Sequence, residues 1–231
     1  MGRTAYLNGT TGKAVIGLAQ LFGTLGPLLF APAWTFNFPL AWIYLALFSG
    51  AAGLITIYLA KHDPALLERR MRAGPRAETV PLQQAIQAVA ALGFAGIFLV
   101  ASLDHRFAWS QIPLAVALAG DAAVALGFLL VFAVFRVNSY TAAAIEVAAD
   151  QTVVSTGPYA IVRHPMYVGA LLIIAATPIA LGSWWALVLL VPLTLVIVWR
   201  LRDEERYLIA RLPQYAQYRE RVRYRLLPGV W

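Results

Sequence analysis

The chain has 231 residues, of which 61% are hydrophobic and 13% charged, and its mean hydropathy is +0.70. This excludes a disordered chain, which needs low hydrophobicity and high charge, and leaves too little polar surface to clothe a soluble domain, so a polytopic membrane protein is expected. With no cysteine there is no disulfide framework, thiolate metal site or catalytic thiol, and three scattered histidines, His62, His105 and His164, do not make a metal site.

A spanning helix needs about 20 mostly apolar residues. Six stretches meet or approach this: 14–30, 38–60, 82–103, 112–135, 167–181 and 184–199. The first lacks a small-residue cleavage site and precedes five more, so it reads as a retained span rather than a signal peptide. After the second, Asp63 can cap a short helix with Pro64 at its first position. Leu66, Leu67 and Met71 share one face of it and Arg69, Arg70 and Arg72 lie on others, the pattern of an amphipathic helix on a membrane surface. Gly93 and Gly96 in the third span are spaced for close helix packing. Asp121 lies inside the fourth, where an ionisable group is costly.

The connection 136–166 is long for a link between helices. It contains an extended run at 151–155, a turn at 156–159, and then Arg163-His164-Pro165. A proline disfavours α conformation in the residue before it, so His164 should stand just ahead of the fifth span, beside unpaired N–H groups that suit an anionic ligand. Gly182-Ser183 is a tight turn between two short spans, which read as a helical hairpin. The sixth span runs on into charged residues until Pro213, and Arg200 and Glu204 share one face at i,i+4 spacing.

Of the 18 Lys and Arg residues, 17 fall at the N-terminus, after even-numbered spans or in the tail, and only Arg106 falls on the other side. By the positive-inside rule both termini are cytoplasmic. The net charge of +7 thus marks a membrane face and its anionic lipid, and needs no nucleic acid to explain it. Trp34, Trp42, Trp109, Trp184, Trp185 and Trp199 near span ends read as interfacial belts. The expected fold is an all-α polytopic membrane bundle of about six transmembrane helices, with a C-terminal helical hairpin and an amphipathic cytoplasmic tail. Its parts are a four-helix region, 1–135, and a C-terminal core, 136–231. The Ala- and Arg-rich composition reads as bacterial, which places the chain in the inner membrane.

Nucleotide-loop, P-loop, nucleophile-elbow and zincin motifs are missing. A composite pattern is present instead. Thr156-Gly157-Pro158-Tyr159 leads into Arg163-His164-Pro165-Met166-Tyr167-Val168-Gly169. An apolar hairpin, Asp203-Glu204-Glu205 and Tyr215-Ala216-Gln217-Tyr218 follow. This order resembles the isoprenylcysteine carboxyl methyltransferase family, whose wider superfamily includes phospholipid and thiol methyltransferases. The resemblance covers roughly residues 138–228 and implies S-adenosylmethionine as methyl donor, with a lipophilic or small acceptor whose nucleophile is a carboxyl, amine or thiol.

Carried over by position, it implies cofactor contacts from Gln151, Thr152, Val153, Val154, Tyr159, His164, Pro165, Met166, Tyr167 and Glu204. Arg200 stands at the substrate end as the catalytic residue. No metal is implied. A further contact that some relatives make upstream has no match, Ala144 and Glu146 falling nearby. The competing readings are an NADPH-dependent reductase of sterol-reductase type, disfavoured by its larger span count, and a non-catalytic transport or scaffold protein, which would not need this composite motif.

Overall fold

The computed structural model describes residues 2–72, 74–78, 80–141 and 152–231, with side chains in the first helix described at residue 12 and from residue 15 onward. The described α-helices are α1 (Gly2–Ala33), α2 (Pro39–His62), α3 (Pro64–Met71), α4 (Pro81–Phe107), α5 (Leu114–Val137), α6 (Pro165–Ala180), α7 (Leu190–Arg211) and α8 (Pro213–Arg221), and no strand occurs among the described residues. Five of these helices begin at a proline, whose fixed φ suits a first turn and whose missing N–H leaves no orphan donor there.

Five spans are long and apolar enough to cross a bilayer: the 15–33 part of α1, then α2, α4, α5 and the stretch Trp185–Arg211 that ends in α7. The expected fifth span is α6, a shorter apolar helix of 16 residues. It rises about 24 Å, less than the hydrocarbon core of about 30 Å. The tryptophans expected in interfacial belts are exposed.

Gly182 turns the chain between α6 and α7 with a φ of +78°, as the hairpin reading requires. The two helices nevertheless have different main partners. The most extensive helix contact in the bundle is α5 on α6. A Cβ on Gly120 would lie 2.6 Å from the Ala180 backbone nitrogen, and one on Gly127 would lie 2.6 Å from Ile173 Cγ1, so these glycines let the two backbones approach. On the other side, α7 packs on α4, where Cβ atoms on Gly93 and Gly96 would meet Leu193 and Leu189. The Gly93/Gly96 reading thus holds, and α6 and α7 touch each other less than α6 touches α5 or α7 touches α4.

The core between the helices contains Leu29, Phe38, Tyr44, Phe98, Val124, Ile173, Leu181 and Leu193. At the end bearing Arg106, the carboxylate of Asp104 accepts bonds from the Ser110 backbone N–H and hydroxyl, each 2.6 Å, and from the Ser183 hydroxyl. It thereby ties α4 to the α4–α5 and α6–α7 connections. Asp121 is buried, and neither carboxylate oxygen has a hydrogen-bond partner among the described residues.

At the opposite, basic end, Asp63 caps α3 by accepting from the Leu66 N–H at 2.9 Å. The apolar face of α3 does not lie on a lipid surface, as its pattern suggested. Leu66 and Leu67 pack on Leu59 of α2 and Phe135 of α5. The non-helical Asp63 folds the short helix straight back onto the bundle, and the Arg69 guanidinium secures it with two bonds to the Ser139 carbonyl, at 2.6 and 3.1 Å.

Candidate functional site

A cavity of about 420 Å³ lies at the basic end, walled by α3, α4, α6, α7 and α8 and by the chain on either side of the 157–160 turn. Because α4 and α6 run inward from this end and α7 runs out to it, Ala90, Ala170 and Ile197 form its deep apolar part. Gln87, Tyr167, Arg70 and Arg200 come next, then Glu204. Thr152, Val153, Val154, Leu208, Leu212, Tyr215 and Tyr218 line the outer part.

Of the site residues expected from sequence, Thr152, Val153, Val154, Tyr159, His164, Met166, Tyr167, Arg200 and Glu204 line this one cavity. Pro165 does not line it; it is buried as the first residue of α6. Gln151 lies outside the described residues, as do Ala144 and Glu146. The run after it, 152–155, belongs to no helix and pairs in no strand.

Tyr159 is set by a short 3₁₀ turn that starts at Gly157, whose φ of +58° suits a residue without a Cβ. Its phenol oxygen accepts from the Asn138 side-chain amide at 2.9 Å, and its carbonyl accepts from the Tyr218 hydroxyl at 2.8 Å. Burial pushes the Tyr159 phenol up to about 12, so it faces the cavity as a neutral hydroxyl. Burial likewise raises the phenols of Tyr215 and Tyr218. These two tyrosines stand three apart on α8 and pack with Leu212, Val222, Val153 and Leu208 into a small apolar cluster over the site. The Tyr-x-x-Tyr spacing held that information.

The two adjacent glutamates of α7 have separate duties, as successive helix positions point about 100° apart. Glu204 is half-buried, lines the cavity and accepts from the Tyr167 hydroxyl at 2.6 Å. Glu205 is buried and does not line it; its carboxylate meets Arg163 and Arg225, each at 2.7 Å, and His164 Nε2 at 3.3 Å.

Arg200 has a partner that local spacing did not suggest. Its Nη2 lies 2.7 Å from Glu78 Oε1, and its Nη1 donates to Gln83 Oε1 at 2.8 Å. Gln83 in turn donates to Asp203. Glu78 and Gln83 precede and open α4, so the guanidinium is held in a fork between α4 and α7. Arg70 and Gln87, read from sequence as parts of a surface helix and a span, also line the cavity.

The start of α6 differs from its expected role as a set of unpaired donors. The N–H of Arg163 goes to the Tyr224 carbonyl at 2.9 Å and that of His164 to the Arg225 carbonyl at 3.0 Å, while those of Tyr167 and Val168 return to the His164 carbonyl. The C-terminal tail takes up the two N–H groups just ahead of the helix.

What this arrangement offers is one carboxylate held by a phenol, a forked guanidinium one helical turn deeper, an apolar and aromatic outer slot, and an apolar floor among the long apolar helices. No curated protein matches the chain. Residues 115–214, from the first turn of α5 to the start of α8, match the family model for phospholipid methyltransferase, a relative within the superfamily expected from the motifs rather than its isoprenylcysteine branch.

Proposed function

We propose that the protein is an integral membrane methyltransferase that uses S-adenosylmethionine and acts on a lipophilic or small acceptor. The observation that carries this reading is that the motif residues, scattered from 152 to 204, converge on one cavity within and beside the segment matched by the phospholipid methyltransferase model. About 420 Å³ falls in the range of small-molecule sites, about 300–1,000 Å³. The donor set fits the cofactor. Glu204 supplies a carboxylate for its amine, Val153, Val154, Leu208 and Leu212 give an apolar slot for a base, and Tyr159 and His164 add polar edges.

When bound, the cofactor supplies a sulfonium methyl group for in-line displacement. The protein's part is mainly alignment, since a well-oriented pair gains several kcal/mol of barrier reduction, of the order of 7 or more in favourable cases. Glu204, fixed by Tyr167, holds the donor side. Arg200, fixed by Glu78 and Gln83, lies toward the apolar floor and so faces an acceptor that enters from the bilayer. In this reading residues 136–231 form the methyltransferase core, and 1–135 form a membrane region that lends Arg70, Gln87 and Ala90 to its cavity.

Purified protein given labelled S-adenosylmethionine and a membrane extract is expected to label an extractable product whose identity names the acceptor. Binding of NADPH in place of S-adenosylmethionine would support the reductase alternative and end this reading. The membrane is taken to be a bacterial inner membrane with the site on its cytoplasmic side, because 17 of 18 basic residues lie at the end that holds the cavity. Reporter fusions after Gly182 and after Trp231 are accordingly expected to report opposite sides, the second cytoplasmic; agreement between them would reject this topology.

A further inference from the structure

We infer that Glu205 is a positioning residue that holds the cofactor-binding segment through the C-terminal tail, resting on the methyltransferase reading above. Its carboxylate is 4% exposed and lies outside the cavity. It joins three parts of the chain that are far apart in sequence. Oε1 takes Arg163 Nε at 2.7 Å and His164 Nε2 at 3.3 Å, both just before α6, and Oε2 takes Arg225 Nε at 2.7 Å in the tail. Arg163 continues the link, because its Nη1 donates to the carbonyls of Val222 and Arg223 at 3.0 and 2.7 Å. The Arg163 and His164 N–H groups donate to the tail carbonyls of Tyr224 and Arg225. Arg225 lies over the Trp231 ring at 5.1 Å, and the Trp231 carbonyl accepts the N–H groups of Arg225, Leu226 and Leu227.

The segment braced in this way is Arg163-His164-Pro165-Met166-Tyr167, and His164, Met166 and Tyr167 line the cavity. Tyr215 Oη lies 3.5 Å from His164 Nε2, so the α8 wall is registered on the same imidazole. The buried Glu205 carboxylate cannot be removed without leaving the buried Arg163 guanidinium unmatched, and the same carboxylate holds the partly exposed Arg225, so the brace is a single unit rather than three separate contacts. The tail residues of the brace, from Val222 onward, lie beyond the matched segment 115–214, so the brace extends the site past the part of the chain that is matched. The consequence is a division of labour. Glu204 touches the cofactor, and Glu205 sets the positions of His164 and Tyr167 without touching it.

The test uses full-length protein in detergent and S-adenosylhomocysteine as the probe. In Glu205→Gln, which keeps the shape and removes the charge, Kd for the probe is expected to rise at least tenfold, and KM for S-adenosylmethionine with it. Turnover at saturating donor should stay within twofold of wild type. Should that variant fail to fold, Arg225→Gln removes only the Arg225 side-chain arm and leaves Arg163 and His164 on Glu205; it should raise Kd about threefold to tenfold with the same unchanged turnover. Probe binding should also slow tryptic cleavage at the exposed Arg221 and Arg223 of wild type, and slow it less in Arg225→Gln. Unchanged affinity in Arg225→Gln together with unprotected cleavage would overturn the inference while leaving the methyltransferase reading intact. A turnover loss at saturating donor that matches the affinity loss would overturn it too, reducing Glu205 to general stability. A wild type that does not bind the probe would bring down the methyltransferase reading and this inference with it.

Discussion

Replacing Glu204 with alanine is expected to weaken S-adenosylhomocysteine binding tenfold or more. The carboxylate is half-buried, accepts the Tyr167 hydroxyl at 2.6 Å and is the acidic side chain lining the described part of the cavity. Losing it would remove the partner proposed for a ligand ammonium and take away the acceptor of the Tyr167 hydroxyl. A charged contact of this kind is worth on the order of 2 kcal/mol, more than a factor of ten in affinity. Glu204→Gln separates the two causes, since the amide oxygen still accepts from Tyr167 while the charge is gone. If alanine and glutamine cost the same, charge is what matters. If glutamine binds like wild type, the carboxylate's service is to Tyr167. Calorimetry that found both variants unchanged would take Glu204 out of the site.

The membrane architecture was legible because it rests on one-dimensional quantities. Runs of apolar residues and the side on which arginines fall need no tertiary information, and the prolines at 39, 64, 81, 165 and 213 mark helix starts by chemistry that is local to each. The cavity wall from 152 to 204 was legible for another reason: its residues sit in a motif whose order is recognisable. What stayed hidden depends on which helices meet. Glu78 and Arg200 are far apart in sequence, and neither pattern nor spacing announces their 2.7 Å pair. Arg70 read as one charge of an amphipathic surface helix because that pattern is the same whether its apolar side covers lipid or the ends of α2 and α5. The motif singled out Glu204, but nothing in it announced that the 100° between successive helix positions sends its neighbour Glu205 to the tail. The donors beside His164 depend on the same kind of contact: an α6 start looks open until a tail about sixty residues away in the chain, folded back on it, takes up the N–H groups of Arg163 and His164.

Arg200→Lys is expected to retain expression and cofactor affinity within a few-fold and to lose methyl transfer by about tenfold or more. The argument turns on the fork. One guanidinium nitrogen pairs with Glu78 at 2.7 Å and the other donates to Gln83 at 2.8 Å, which fixes the plane of the group between α4 and α7. A lysine ammonium keeps the charge and can snorkel to the interface, so if Arg200 only anchored α7 there, the exchange would be tolerated. It cannot, however, span both partners in one plane, so a group held to orient an acceptor or meet charge developing on it would be displaced. A lost transition-state contact of about 1.4 kcal/mol corresponds to the tenfold fall. Gln83→Leu gives the complementary measurement: it leaves the charge and the Glu78 pair in place and frees one arm of the fork, so turnover should drop by a smaller factor than in Arg200→Lys while affinity for S-adenosylhomocysteine holds. Wild-type turnover in Arg200→Lys would make the residue an interfacial anchor. A fall in cofactor affinity with turnover at saturation preserved would move it from the acceptor side of the cavity to the donor side, next to Glu204, one helical turn away.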